Sequence, residues 1–299
     1  MARDNERRAP YSWGVTTDAA PHRAPGTLSI VSTPIGNLGD MTYRAVETLG
    51  RVDLILCEDT RHSRPLLDHF GITTPVAALH EHNEAREIPR LLARLARGDH
   101  LALISDAGTP LLSDPGGRAV RAAIEAGYAV VPIPGASALL AALVGSGLDG
   151  EAFTFLGFLP RRGRERTRAL ERVSELPHLG VLYESPHRVA DTLDDLAGVL
   201  GVAAETRRGV VARELTKRFE EYRRGTIAEL AAAMREHPPR GEVVLIIEGR
   251  AGEALDEQAL RESAQALRAS GATTREIARS LVERHGAPRN LAYRVAQDA

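Results

Sequence analysis

Four short apolar runs in the first half of the chain show little or no polar alternation. They are Leu28-Ser29-Ile30-Val31, Leu54-Ile55-Leu56-Cys57, Leu101-Ala102-Leu103-Ile104 and Ala129-Val130-Val131-Pro132-Ile133. A strand that is apolar on both sides of its pleat is buried on both faces, which predicts a parallel sheet covered by helices. Each run stops at a loop of small, acidic or Pro- and Gly-bearing residues, and a helical pattern comes next. The loops are Ser32-Thr33-Pro34-Ile35-Gly36-Asn37, Glu58-Asp59-Thr60-Arg61, Ser105-Asp106-Ala107-Gly108-Thr109-Pro110 and Pro134-Gly135-Ala136-Ser137-Ala138. Parallel strands carry such loops to one edge, where open α/β sheets bind ligands. The four loops are therefore expected to converge on one cleft.

The first half reads as one α/β domain over 27–147, closed by Gly145, Gly147 and Gly150. Residues 1–26 are polar, carry Pro10, Pro21 and Pro25, and read as a disordered extension. Residues 148–250 mix strands, a hairpin around 215–218 and helices, an α+β pattern. Residues 251–299 have helical spacing only, and Thr273 with Glu276 makes a capping box. That tail reads as a docking or dimer-contact element, with a helix-turn-helix as the weaker alternative.

The loops also limit the ligand. There is no Gly-x-x-x-x-Gly-Lys phosphate loop and no clean Gly-x-Gly-x-x-Gly fingerprint. Acids outnumber bases in the cleft loops, which suits a cation with hydroxyls rather than a phosphate. S-adenosylmethionine, with its sulfonium, ammonium and ribose, has that chemistry. Asp106 can accept from its amino group or ribose, or can simply cap a turn. Glu58 or Asp59 can act as a general base and Arg61 can steer a phosphate. Alternatively, Asp59 or Thr60 caps the next helix beside a local ion pair. His80-Glu81-His82-Asn83-Glu84 lacks a full metal-ligand set, so no metal is expected. His80 and Asn83 instead read as lining the cleft mouth. Ser113-Asp114-Pro115-Gly116 reads as a helix start.

Cys57 is the one cysteine, so neither an intrachain disulfide nor a cysteine zinc site can form. No apolar run approaches membrane-spanning length and no secretory leader is visible, so a cytoplasmic protein is expected. The net charge is −2, so any nucleic-acid contact must be local. Arg161, Arg162, Arg164, Arg166, Arg168 and Arg172 form one basic segment, and Gly163 marks it as a mobile arm. Arg207, Arg208, Arg213, Lys217, Arg218, Arg223 and Arg224 form another. Either is a phosphate track or a solvated helix face. Aromatics make up only 4% of the chain, so base-stacking platforms are not expected to dominate. Lys217 is the sole lysine and lies far along the chain from the first domain, which argues against a lysine at the reacting centre.

Six motifs occur in a fixed order: Thr33–Asp40, Glu58–Arg61, Ser105–Pro110, Pro134–Ala138, Gly157-Phe158-Leu159-Pro160 and Tyr183-Glu184-Ser185-Pro186-His187-Arg188. Together they resemble the small-subunit ribosomal RNA methyltransferase I family of the tetrapyrrole methylase superfamily, from about residue 27 to 249. The resemblance implies two α/β domains with a cofactor cleft between them and a small C-terminal helical extension. It implies S-adenosylmethionine-dependent 2′-O-methylation of a cytidine in the decoding centre of 16S ribosomal RNA, by a homodimer without metal or membrane association. Carried over by motif, the cofactor contacts are Pro34, Gly36, Asp106, Ala107, Gly108, Ser137 and Ala138. The reacting groups are Glu58, Asp59 and Arg61, and the RNA contacts Arg161, Arg162, Arg164, His187 and Arg188. The superfamily's glycine-richer first loop is absent here, which counts against a tetrapyrrole or corrin precursor as substrate. A non-catalytic RNA-binding assembly module is the other alternative.

Overall fold

The computed structural model describes residues 24–250, 257–285, 287 and 289–299. Most of the expected N-terminal extension lies outside them. The chain divides into two compact units.

The first unit runs to Ala136, apart from Ile35–Asn37. Its sheet contains β1 (Thr27–Val31), β2 (Leu54–Cys57), β3 (Val76–Ala78), β4 (Leu101–Ile104) and β5 (Ala129–Ile133), in the order β3-β2-β4-β1-β5. Every pairing is parallel, as the lack of alternation requires. One face of the sheet packs Leu28, Ile30, Leu56, Leu101 and Leu103 against α3 (Glu84–Ala96) and α4 (Gly117–Glu125). The other packs Val31, Ile55, Cys57, Ala102 and Ile104 against α1 (Tyr43–Arg51) and α2 (Thr60–His69). Successive residues of one strand thus serve opposite cores. Glu84 is buried between helices, and its carboxylate accepts from Ala119 N at 2.8 Å, meeting a free amide in the first turn of α4. The Cys57 thiol is fully buried, and that burial raises its pKa.

The second unit comprises Ile35–Asn37 and Ser137–Ala299. The chain therefore divides at Ala136, not near Gly147. The cause is α5 (Ala138–Ser146), a helix apolar on all sides that packs on the second sheet. Tyr222 Oη donates to Ala141 O at 3.0 Å, and Arg224 Nε to Ser146 O at 2.8 Å. The second sheet has the order β6-β7-β10-β8-β9, from β6 (Phe153–Phe158), β7 (Leu179–Glu184), β8 (Arg208–Arg213), β9 (Glu221–Thr226) and β10 (Val243–Ile247). Only β6 and β7 are parallel. On one face Leu182, Val211, Leu245 and Ile247 pack against α6 (Arg164–Glu175), α7 (Val189–Leu200) and α8 (Ile227–Glu236). The capping box Thr226–Glu229 starts α8.

From Arg164 onward the arginine segment is a helix, not a mobile arm. Arg166, Leu170 and Val173, at helical spacing, are all buried. Arg166 donates to Asp195 (2.8 Å), Thr192 Oγ1 (3.0 Å) and the Pro160 carbonyl (3.2 Å). Thr192 Oγ1 donates in turn to the buried Glu184 at 2.7 Å. The tail forms α9 (Glu257–Ala269), α10 (Thr274–His285) and α11 (Arg289–Asp298), with a core of its own around Leu260, Ile277, Leu281 and Val295. The Thr273–Glu276 capping box is present.

Candidate active site

Hydroxyls and small residues clip the carboxyl ends of β1, β4 and β5 together. Thr33 and Gly108 exchange backbone hydrogen bonds at 2.9 and 3.1 Å. Ser105 Oγ donates to Gly108 O at 3.1 Å, and Thr109 Oγ1 to Ala136 O at 3.1 Å. Gly108 has φ +79, a conformation that costs glycine little. A Cβ on Gly135 would stand 2.9 Å from that of Ser32, so only glycine lets the last loop approach this closely.

Beside these loops lies a cleft of about 520 Å³ lined by Glu58, Asp59, Thr60, Arg61, Ala78, His80, His82 and Asp106. That volume falls in the ~300–1,000 Å³ range of small-molecule sites. The acids after β2 and β4 therefore line one cleft, while the loops after β1 and β5, expected to converge there too, supply none of these lining residues. The roles of the acids differ. Asp59 is the N-cap of α2, accepting from Arg61 N at 2.8 Å, and it is also paired with the Arg61 guanidinium at 2.8 and 3.1 Å. These bonds hold its pKa down to about 2. Arg61 itself is almost fully exposed. Asp106 Oδ1 and His80 Nδ1 are buried without a hydrogen-bond partner. Asn83 does not line the mouth as a free group. Its amide ties His80 N (2.8 Å) to Ala78 O (3.0 Å).

Asp114 is not the simple helix start that its sequence suggests. The cap of α4 is Gly116 at φ +110, and the loop before it holds Leu111 and Ser113 at φ +74 and +76. Strained backbone of this kind persists where the surroundings enforce it. It leaves Asp114 half-buried near Glu58 and Asp106. Desolvation, then the charges of those two carboxylates, raise its pKa to about 6. Because the folded pKa exceeds the unfolded value, this group favours folding below pH 3.8, and the advantage is lost as pH rises through 6. Asp114→Asn should therefore raise stability at pH 7.5 by about 1 kcal/mol, allowing for solvent screening of a half-exposed group, with the gain vanishing near pH 4. Thermal melts of both proteins across pH 4–8 check this.

The other expected contacts are spread over both units. Pro34 and Ala107 flank the Thr33–Gly108 bridge in the first unit. Gly36, Ser137 and Ala138 belong to the second unit. Ser137 caps α5, with Oγ accepting from Leu140 N at 3.5 Å, and Ala138 is its first residue. Arg161, Arg162 and His187 are exposed on the loops after β6 and β7, and Arg164 is exposed at the first position of α6. Arg188 is committed inward, donating to the Leu159 and Pro160 carbonyls at 3.3 and 3.2 Å and pairing with Glu184 at 3.5 Å. Lys217 is distant from the first loop along the chain but not in space. Its aliphatic stem occupies the room a Cβ on Gly36 would need, and its ammonium donates to Glu214 and Glu242, each at 2.9 Å. Among the described residues, no three His, Cys, Asp or Glu side chains are grouped to hold a metal ion, and no helix is long and apolar enough to cross a membrane.

A profile of the family described as Tetrapyrrole (Corrin/Porphyrin) Methylases matches residues 27–231. The chain is 47% identical over 274 residues to ribosomal RNA small subunit methyltransferase I of Synechocystis sp., covering 91% of this chain and 97% of that one. It is 45% identical to the protein of the same name from Escherichia coli O157:H7, covering 91% and 94%. Among solved structures, a cobalt precorrin-4 methyltransferase superposes with a TM-score of 0.57 at 16% identity, covering 74% of this chain and 94% of that one. Uroporphyrin-III C-methyltransferase of Thermus thermophilus, complexed with S-adenosylhomocysteine, gives 0.54 at 16% identity, covering 75% and 97%.

Proposed function

Because this chain belongs to the tetrapyrrole methylase family, in its ribosomal RNA small subunit methyltransferase I branch, we propose that it methylates the 2′-oxygen of a cytidine ribose in the decoding centre of 16S ribosomal RNA. S-adenosylmethionine is the donor. The observation that carries the reading is the carboxylate group at parallel strand ends, with Asp106 Oδ1 buried and unpaired. A ligand bringing positive charge and hydroxyl donors relieves both the repulsion and the orphaned acceptor. The residues present thus fit such a donor.

When bound, the donor supplies an electrophilic methyl carbon on a sulfonium. Asp106 accepts its ammonium or ribose hydrogen bonds, and Pro34, Ala107 and Gly108 shape the wall beside it. Glu58 takes the proton of the attacking ribose hydroxyl. Asp59 is the poorer base, since its lone pairs serve a helix cap and Arg61. Arg61, facing solvent, holds an RNA phosphate. Most of the rate gain comes from holding hydroxyl and methyl carbon in line. Gly36, Ser137 and Ala138 are proposed as further donor contacts. Arg161, Arg162, Arg164 and His187 are proposed RNA contacts. Arg188 acts behind them by fixing the Leu159-Pro160 carbonyls. A homodimer in the cytoplasm is the proposed working form.

The test offers labelled donor with small-subunit particles, free 16S RNA and a tetrapyrrole precursor. Label entering only RNA, at a ribose of a cytidine, is the expected result. Label in the tetrapyrrole, or RNA binding without label, would overturn the proposal.

A further inference from the structure

Aromatic residues are few, yet three of the five phenylalanines, Phe153, Phe155 and Phe158, sit on β6. In a regular strand Phe155 and Phe158 point to opposite faces. Here the β6–β7 ladder slips between them: Phe155 pairs with Val181, but Phe158 rather than Gly157 pairs with Tyr183. Gly157 takes φ +63 at the irregularity. A bulge of this kind re-aims a side chain. Phe158 is turned onto the face that carries Phe155 and Tyr183. The rings meet edge to face, Phe155–Tyr183 at 4.8 Å and Phe158–Tyr183 at 5.7 Å between centroids. Phe158 nevertheless remains 56% exposed. An exposed ring braced from below is poorly explained as core packing.

The chain just after Phe158 is equally fixed. Leu159 is buried, its carbonyl is held by Arg188, and the Pro160 carbonyl is held by both Arg166 and Arg188. Next come Arg161, Arg162 and Arg164, all exposed. An anchored aromatic face followed within six residues of chain by three solvent-exposed arginines has the two parts a single strand of RNA needs. One is a π-surface for a base, and the other is cations for the adjoining phosphates.

We propose that the Phe158–Tyr183 pair is a stacking platform for a nucleobase of the RNA substrate, with Arg161, Arg162 and Arg164 on the flanking phosphates. The proposal rests on the RNA methylation reading and adds a base-recognition site to it. The bulge at Gly157 is the device that builds it.

The test uses the full chain with Phe158→Ala, Phe158→Leu and Phe158→Trp. The first readout is quenching of a short single-stranded oligoribonucleotide carrying 2-aminopurine. The second is steady-state methylation of small-subunit particles. Wild type and Phe158→Trp should quench the probe. Phe158→Ala and Phe158→Leu should not, and should raise the KM for RNA about tenfold with the KM for donor unchanged. Melting temperatures should stay level, because the ring is more than half exposed. Wild-type behaviour of Phe158→Leu would mean plain apolar contact and would overturn the proposal. So would a shift in oligomeric state for Phe158→Ala, which would mean a second copy covers the ring. If wild type methylates no RNA at all, the RNA reading itself has failed. If it does and the three variants match it, only the platform has failed.

Discussion

Glu58→Gln is expected to slow methyl transfer by roughly 10²–10⁴-fold, the range for loss of a positioned general base. Asp59→Asn should cost far less. The two carboxylates are neighbours in sequence and line the same cleft, but the fold already occupies one of them. Asp59 caps α2 and grips Arg61, and its pKa near 2 makes it a feeble proton acceptor at neutral pH. Asparagine at that position still caps a helix, so the second variant keeps its fold. Single-turnover rates of the three proteins side by side decide the matter. The rate should fall steeply in Glu58→Gln and stay near wild type in Asp59→Asn. The reverse outcome would exchange the roles of the two acids.

Arg166→Met is expected to lower stability by about 3 kcal/mol, at the low end of what breaking a buried ion pair costs. The low end applies because Asp195 is half exposed and recovers water when its partner goes. The Pro160 carbonyl and Thr192 hydroxyl lose a donor in a place with little water. For a chain this size the melting temperature should fall by about 6–12 °C. Asp195→Asn, which leaves the guanidinium its other two acceptors, should fall by far less. Calorimetric melts of the three proteins side by side check both statements. Equal losses would mean that the Asp195 pair, not the Thr192–Glu184 chain behind it, carries the stability.

The parallel sheet of the first unit could be read from the chain because strands buried on both sides have a pattern that few other elements share. The convergence of Glu58 and Asp106 came from topology alone. Other features depend on contacts that no local pattern encodes. Residues 161–172 are rich in arginine along their whole length, and only the i, i+4, i+7 spacing of Arg166, Leu170 and Val173 marks the arginine that turns inward. Asp114 sits in a sequence that caps helices well, but positive φ at Leu111 and Ser113 carries it elsewhere, and no residue preference foretells that. The glycines near 147 look like a boundary, although α5 before them already belongs to the second sheet. Separation along the chain hid the meeting of Lys217 with Gly36. The slipped register at Gly157 is a property of two strands together, so one strand's sequence does not contain it.

The fully enclosed sulfur at the end of β2 gives this protein a built-in clock. Alkylating reagents attack only thiolate that reaches water, and here both ionisation and access are suppressed. With no second thiol in the chain to compete, the rate of labelling reports how often the first sheet opens. A ligand seated on the neighbouring strand ends slows that clock in proportion to how tightly it holds the sheet shut.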